Sequence, residues 1–209
     1  MHWAYCKTED FSKTELQQLY LRLSPSRKAR IDRLRREKDK LRSLAAELLV
    51  YRLLETHYGI SSAQLHCKDN GQPYLSDCQL RVSISHCGEA LACAVSDSPV
   101  GIDIERIRPM DLRICRHTCV PEELEYLLAN KQIPELGECS DPDILRRFFE
   151  IWTAKEAYYK KCGTGITDLK GINILSLQRQ VYTVDDYLIQ LVLGTNSLPP
   201  RHCRNLLAK

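Results

Sequence analysis

The order of the periodic segments places the strongest constraint on the fold of this 209-residue chain. Helical periodicity dominates the chain up to Gly59, strand-like segments follow, and a second helical region then leads to a last strand region. Helices and strands thus come in blocks and do not alternate one by one, as a parallel sheet would require. The sequence therefore predicts an α+β fold, which two stacked halves would accommodate.

Individual patterns locate the elements within these blocks. Ser12 and Glu15 form a capping-box sequence that predicts a helix start, and Asp141 followed by Pro142 predicts another. Helices are predicted from Ser12 to Leu23, from Leu41 to a stop at Gly59, over 121–129 and over 142–162. Strands are predicted over 81–86, 91–95, 100–105, 171–177 and 182–193, the last bent at Asp185 and Asp186. Asn70 and Gly71 predict a tight turn, and an irregular tail is expected around Pro199 and Pro200.

Composition excludes several classes of protein. Apolar residues at 44% and charged residues at 27% are ordinary globular values, which excludes disordered and low-complexity chains. No apolar run approaches the roughly 18 residues of a membrane span, and the start of the chain lacks the pattern of a signal peptide. With ten cysteines and no secretion signal, we expect reduced thiols and a cytoplasmic protein. Cys115 and Cys119 flank His117, but a zinc site needs a second pair of ligands, and the sequence offers none.

Positive charge is concentrated in one segment. The net charge is only +3, yet residues 27–42 hold nine Lys or Arg and three Asp or Glu, a local excess of six positive charges. A basic segment on a mildly acidic body favours an anionic ligand or partner, although a solvated helix face is the commonest explanation of such a run.

Two acidic side chains are predicted to share one face of a strand. Side chains alternate along a strand, so Asp103 and Glu105 point the same way, roughly 6–7 Å apart at the backbone, while Ile102 and Ile104 point into a core. A solvated strand end would explain the pair without any function. Mg²⁺ would relieve the repulsion between the two carboxylates, because it takes one or two carboxylates together with water and phosphate oxygens.

A third acidic residue lies where a helix is expected to be apolar. At about 100° per residue, Glu156 falls in the middle of the stripe that contains Phe149 and Trp152, and Lys160 lies one turn further at its edge. An exposed ion pair between Glu156 and Lys160 is the simplest explanation, but it does not account for the apolar surroundings. A third metal carboxylate beside Asp103 and Glu105, with a lysine for a phosphate, accounts for them better.

Two motifs in this order and separation resemble the paired signature of the Sfp-type 4′-phosphopantetheinyl transferases. VGIDIE at 100–105 is followed about fifty residues later by FFEIWTAKEAYYKK at 148–161, on a predicted helix. Weaker similarities are SISHCG at 83–88, GQPYL at 71–75, LSPSRKARIDRL at 23–34 and GTG at 163–165. The resemblance implies two similar α/β subdomains, stacked with pseudo-twofold symmetry around an active site at their interface. We divide them at residues 1–102, with the basic helices and the Ser-His motif, and 103–209, with the metal carboxylates and the second motif.

The resemblance also implies a reaction. Phosphopantetheine would pass from coenzyme A to a serine of an apo acyl or peptidyl carrier protein, with Mg²⁺ required and 3′,5′-ADP released. Asp103, Glu105 and Glu156 would hold the Mg²⁺, while Lys160 and His86 would stabilise charge. Glu156 is the expected base, directly or through water, and a metal-bound hydroxide is the alternative. The residues expected to contact coenzyme A are Arg27, Arg30, Arg42, Gln72, Ser85, His86, Lys155 and Lys160. We expect a monomer that binds neither nucleic acid nor a membrane.

Gln72 departs from the family pattern, which usually has lysine at this position. Glutamine can form hydrogen bonds but brings no charge. We therefore expect weaker binding of coenzyme A, or compensation by a nearby base such as Lys68.

Two other functions fit part of the sequence. A Mg²⁺-dependent phosphodiesterase or nuclease would use the same carboxylates and Lys160, and it would need no coenzyme A. A non-enzymatic nucleic-acid-binding module would use residues 27–42 alone, but this segment lacks interleaved aromatic residues and no known nucleic-acid-binding motif occurs.

Overall fold

The computed structural model describes residues 1–129 and 136–194, together with the backbone of residues 201 and 202. The first part of the chain forms β1 (His2–Lys7), α1 (Lys13–Arg22), α2 (Pro25–Asp32), α3 (Glu37–Tyr58), β2 (Leu65–Cys67), β3 (Pro73–Leu75), β4 (Arg81–Cys87), β5 (Ala90–Ser96) and β6 (Val100–Arg106). The second part forms β7 (Met110–Asp111), α4 (Cys115–Thr118), α5 (Pro121–Leu128), β8 (Glu138–Cys139), α6 (Pro142–Cys162), β9 (Arg179–Val184), β10 (Tyr187–Leu193) and β11 (Arg201–His202). The predicted irregular tail at Pro199 and Pro200 lies outside the described residues.

The ends of the helices follow the capping signals of the sequence. The hydroxyl of Ser12 accepts a hydrogen bond from the backbone N–H of Glu15, whose carboxylate accepts one from the N–H of Ser12, so both ends of the predicted capping box are present. Asp141 caps α6 through its side chain. α3 and α6 end at Gly59 and Gly163, both with a left-handed backbone conformation that glycine adopts without strain.

Two antiparallel sheets repeat one strand order. In the first sheet β5 lies between β1 and β4, and in the second β10 lies between β6 and β9. Each half therefore runs from an outer strand through a long helix, α3 or α6, to a second outer strand and then to the central strand. β11 extends the first sheet as a parallel neighbour of β1. This order confirms the predicted α+β fold with two subdomains. The expected division between residues 102 and 103 falls inside β6 and stays a prediction.

Two predicted strands need correction, and β1 was not predicted. β1 pairs with β5 along its whole length. The strand predicted over 171–177 is wrong, because short 3-10 turns occupy Leu169–Gly171 and Ile174–Ser176. The long strand predicted over 182–193 is two strands, since Asp185 adopts a positive φ of 54° in a tight turn and reverses the chain.

The apolar cores position the two halves against each other. Trp3 and the alanines of β5 pack with isoleucines and leucines of β6 and β10, so the two sheets share one buried cluster. On the outer sides, α3 and α6 cover the first and second sheet. A Cβ atom at Gly101 would overlap the carbonyl oxygen of Ala157, so only glycine allows β6 and α6 to approach this closely. None of the described helices combines the length and the apolar character that crossing a bilayer requires.

Candidate active site

Alternate side chains of β4 bond β6 at the junction of the two halves. Ser83 accepts a hydrogen bond from the backbone N–H of Ile102 at 3.0 Å, and Ser85 donates to Oδ1 of Asp103 at 2.6 Å. The thiol of Cys87 lies 3.3 Å from Oε2 of Glu105. Period-two alternation on both strands thus directs Asp103 and Glu105 to the same side, as the sequence predicted.

Asp103 is the most buried acidic group of this junction. Its side chain is 5% exposed, and Nζ of Lys160, on α6, donates to both Oδ1 of Asp103 at 2.6 Å and the hydroxyl of Ser85 at 2.7 Å. The second carboxylate oxygen, Oδ2, is buried and has no hydrogen-bond partner among the described residues. Burial raises the pKa of Asp103, while Lys160 and Ser85 oppose the rise.

Glu156 belongs to the same electrostatic group. Burial raises the pKa of the partly buried Glu156 carboxyl, and repulsion from Asp103 and Glu105 adds to the rise, while Lys160 opposes it. Glu105 accepts a hydrogen bond from Arg108 at 3.1 Å in addition to its contact with Cys87. Three acidic side chains from β6 and α6 therefore act on one another across the junction.

The donor set of this junction fits a hard divalent cation. Among the described residues no three Asp, Glu, His or Cys side chains already stand in a metal-binding arrangement. However, Oδ2 of Asp103 is a buried acceptor without a donor, and a cation would lower the cost of three neighbouring carboxylates. Oxygen donors of this kind suit Mg²⁺, which keeps some coordination positions for water and phosphate.

A cleft of about 250 Å³ opens beside these groups. Its lining comes from the β2–β3 hairpin, from β4 and from the end of α6 with the turn that follows, and it includes Gln72, Ser83, Glu156, Lys160 and Ile166. Both halves of the chain thus contribute to the cleft. An elongated anionic ligand would meet Lys160 on the α6 side.

The β2–β3 hairpin is attached to the end of α6. The side-chain amide of Asn70 donates to the carbonyl oxygen of Gly163 at 2.8 Å. Gln72 packs so closely on Gly163 that a Cβ atom there would overlap its side-chain amide. Nζ of Lys68 donates to Oε1 of Gln72 at 2.8 Å, so the lysine considered for compensation does lie beside Gln72.

Arg42 and His86 lie at the turn between β4 and β5. Arg42 donates to the carbonyl oxygen of Gly88 at 3.0 Å and to Asp39 at 2.6 Å. Partial burial of the imidazole, together with the positive charges of Arg42 and Lys160, lowers the pKa of His86. The neutral form of the imidazole is therefore favoured beside these two cations.

Lys155 does not reach the cleft, which corrects its expected contact with coenzyme A. Its side chain is fully buried on another face of α6 and forms an ion pair with Glu123 at 2.7 Å. Its ammonium also donates to the carbonyl oxygens of Leu169 and Ile172. The positive charge of Lys155 is thus paired with Glu123 inside the protein.

Arg27 and Arg30 lie outside the cleft that Glu156 lines. Arg27 bonds Glu47 at 2.7 Å and Ser43 at 2.9 Å, so its charge joins α2 to α3. Both arginines line a separate cavity of about 390 Å³ that also contains His66 and Tyr74. Their expected contacts with coenzyme A stay predictions.

Three residues of the site were missed in the sequence. Cys87 shares a face of β4 with Ser85, so alternation alone would have identified it. Asn70 and Arg108 carry no such signal, because their contacts depend on how the hairpin and the end of β6 turn.

Comparisons with known proteins match both halves of the chain to 4′-phosphopantetheinyl transferases. The profile described as the 4′-phosphopantetheinyl transferase superfamily matches residues 99–200, and one described as the N-terminal part of a 4′-phosphopantetheinyl transferase matches residues 10–98. The 4′-phosphopantetheinyl transferase gsp of Aneurinibacillus migulanus is 35% identical over 131 residues, which are 62% of this chain and 51% of the relative. Psf-1 of Bacillus pumilus, also a 4′-phosphopantetheinyl transferase, is 31% identical over 75% of this chain and 64% of its own length. The chain thus spans between half and two thirds of these two relatives.

A third relative is covered more fully. The 4′-phosphopantetheinyl transferase HetI of Nostoc is 30% identical over 174 residues, which are 79% of this chain and 70% of the relative. The two profile matches together contain both motifs and the residues of the junction. On these grounds, the chain belongs to the 4′-phosphopantetheinyl transferase superfamily.

Proposed function

We propose that this protein transfers the 4′-phosphopantetheine group from coenzyme A to a serine hydroxyl of an apo acyl or peptidyl carrier protein, and that the reaction requires Mg²⁺. The observation that carries the proposal is the carboxylate of Asp103, which offers one buried oxygen without a partner while Lys160 and Ser85 hold the other. Transfer of a phosphoryl group depends mainly on positioning and on neutralising negative charge, and this junction provides groups for both.

Asp103, Glu105 and Glu156 are the residues that would hold the metal ion. When bound, Mg²⁺ supplies positive charge for the diphosphate of coenzyme A and for its leaving group. Lys160 lies between Asp103 and the cleft, so its ammonium is available to a phosphate oxygen. Next to Ser85, Arg42 adds positive charge and His86 a further hydrogen-bonding group near the end of β4.

The reaction exchanges one phosphorus–oxygen bond for another. The carrier's serine oxygen bonds to the phosphorus that bears the pantetheine arm, and the bond from that phosphorus to the 3′,5′-ADP oxygen breaks. The serine proton must leave in or before the transition state. Glu156 accepts it, directly or through one water molecule, because its carboxylate lines the cleft beside Lys160.

The basic segment offers a surface for the carrier protein. Exposed cationic side chains cover α2 and the start of α3, namely Arg30, Arg33, Arg35, Arg36 and Lys38. The carrier proteins that are this family's partners present an acidic helix around the serine. Opposite charges would therefore guide the encounter between the carrier and this protein. We also expect the protein to act as a monomer, without nucleic acid as a partner.

The test is the mass of the carrier protein. The protein is mixed with coenzyme A, Mg²⁺ and an apo carrier, and a gain of one phosphopantetheine is expected. The gain should disappear with EDTA and in Asp103→Ala and Glu156→Ala, but persist in Glu122→Ala, which removes an exposed carboxylate on α5. No gain with several acyl and peptidyl carriers would overturn the proposal. Cleavage of DNA or RNA by the same sample would favour the nuclease alternative.

A further inference from the structure

Lys155 is a fully buried cation that the proposed reaction does not use. An ammonium group has three N–H donors, and each finds an acceptor: Glu123 at 2.7 Å, the carbonyl oxygen of Leu169 at 2.5 Å and that of Ile172 at 2.7 Å. Two of the three acceptors belong to the backbone of one segment, residues 164–174, which follows α6. The lysine therefore fastens this segment to the helix.

Glu123 extends the same attachment. It is fully buried, and its Oε1 accepts a hydrogen bond from the backbone N–H of Ile174 at 2.8 Å. Its other oxygen accepts from the N–H of Val120 at the start of α5. One turn further along α6, the hydroxyl of Tyr159 bonds both the carbonyl oxygen and the N–H of Asp168. Segment 164–174 is thus held at four backbone positions by side chains of α5 and α6.

The same segment forms a wall of the cleft. Gly165 and Ile166 line it, together with Glu156 and Lys160 of α6 and residues of the β2–β3 hairpin. Lys155 and Glu156 are neighbours on α6, but they face different sides of the helix. Lys155 bonds the backbone of the segment away from the cleft, and Glu156 lines the cleft itself.

A buried ion pair is a costly way to gain stability alone. Desolvation of both charges offsets much of their attraction, and apolar residues of similar size often stabilise a core equally well. What apolar residues cannot do is satisfy the inward-facing carbonyl oxygens of Leu169 and Ile172. The pair therefore fixes where the backbone lies, which packing alone would leave less well defined.

We propose that Lys155 is a positioning residue: through the carbonyl oxygens of Leu169 and Ile172 it holds residues 164–174 as the wall that encloses coenzyme A. The proposal rests on the proposed function for the identity of the ligand. It assigns Lys155 no contact with coenzyme A. Its predicted effect is on binding, since the segment lines the cleft through Gly165 and Ile166 and contains none of the residues assigned to the reaction.

The test combines kinetics with hydrogen exchange. Lys155→Met keeps the length of the side chain and removes the donors, but it leaves Glu123 charged and can fail to fold. The double variant Lys155→Met with Glu123→Gln removes both charges and keeps a carbonyl oxygen for Ile174. Lys161→Met is the matched control, because Lys161 lies on the same helix and bonds the carbonyl oxygen of Leu193 instead.

The double variant should remain folded, and its backbone amides in 168–174 should exchange about tenfold faster or more than in the wild type, with α3 unchanged. Its KM for coenzyme A should rise about tenfold, while kcat changes less than about threefold. Lys161→Met should show neither effect. Wild-type exchange in 168–174 and an unchanged KM in the folded double variant would overturn the positioning role. If the wild-type protein modifies no carrier, the proposed function fails, and exchange in 168–174 still decides whether Lys155 positions the segment.

Discussion

Lys160 donates a hydrogen bond of 2.6 Å to Asp103 across the contact between α6 and β6, and it uses only one of the two carboxylate oxygens. The arrangement opposes the rise that burial causes in the pKa of Asp103 and still leaves an oxygen for a ligand. The lysine side chain itself is 30% exposed, so it also faces the cleft. Lys160 therefore contributes both to the stability of the junction and to the cleft, and its replacement should affect both.

Replacing Lys160 should reduce stability and activity together. Lys160→Met leaves Asp103 buried without a cation, and we expect the free energy of unfolding to fall by about 1–2 kcal/mol, less than for a fully buried pair because Lys160 is partly solvated. Transfer activity should fall by a factor of at least about a hundred, since the phosphate then loses the cationic hydrogen-bond donor that Lys160 provides beside the metal ion. Denaturant unfolding and carrier modification measure the two effects. Unchanged stability would show that Ser85 alone satisfies Asp103.

Replacing Glu156 should stabilise the metal-free protein while stopping the reaction. The folded pKa of Glu156 is raised, so its ionised form costs stability above that pKa, and the cost vanishes below the ordinary carboxyl value of about 4.3. Glu156→Gln should therefore raise the free energy of unfolding by about 1 kcal/mol near neutral pH. The gain should shrink as the pH falls towards about 4. Thermal unfolding in EDTA across this range is the measurement. A variant that is destabilised at neutral pH would contradict the electrostatic picture.

The contact between β6 and α6 should tolerate no side chain at Gly101. A Cβ atom there would overlap backbone atoms of Ala157, which cannot move without shifting the helix. Gly101→Ala should cost about 2–4 kcal/mol of stability or prevent folding, because overpacking at a backbone contact cannot relax through a rotamer change. Gly137→Ala is the control, since its added Cβ meets nothing within 4 Å. Equal melting temperatures for the two variants would refute this packing.

We expect Lys68, which lies beside Gln72, to supply the positive charge that the family usually has at position 72. If the amine of Lys68 compensates for the neutral Gln72, Lys68→Met should weaken binding of coenzyme A about three- to tenfold, as expected for loss of one partly exposed charge. Gln72→Lys should tighten binding, although the new amine would lie close to Lys68. Titration calorimetry with coenzyme A and Mg²⁺ measures both constants. An unchanged affinity in Gln72→Lys would rule out the missing charge as a determinant.

Docking of the carrier should depend on salt. The exposed cations of α2 and the start of α3 lie within reach of solvent ions, and a Debye length falls from about 10 Å at 0.1 M salt to about 3 Å at 1 M. The apparent KM for an acidic carrier should therefore rise steeply with salt, while binding of coenzyme A alone changes less. A flat response of the carrier KM would indicate that apolar contacts dominate docking.

Much of the site was predictable because it depends on two short periodicities. Asp103 and Glu105 share a strand face through alternation, and Glu156 and Lys160 share a helix face through i,i+4 spacing. Whether β6 and α6 touch is a tertiary question that neither periodicity answers, and the role of Gly101 in this contact emerges only from the structure. The resemblance to a family carried the remaining step.

The predictions that failed concern residues whose surroundings come from distant parts of the chain. β1 lies between β5 and β11 and has alternating positions buried by different cores, so its sequence lacks the polar face that marks a half-exposed strand. Residues 171–177 have strand-like isoleucines, but Asn173 caps a turn with its side chain and Lys155 bonds the carbonyl oxygen of Ile172. Lys155 itself resembles a surface lysine until Glu123, distant in the chain, is found beside it.

The repeated strand order has a practical consequence. Each half carries its own sheet and long helix, yet Ser85 comes from one half and Asp103 with Lys160 from the other. A chain severed in the turn before β6 would yield two pieces that each own a scaffold but only part of the chemistry. If the proposed transfer occurs, restored carrier modification would report that the two pieces had associated.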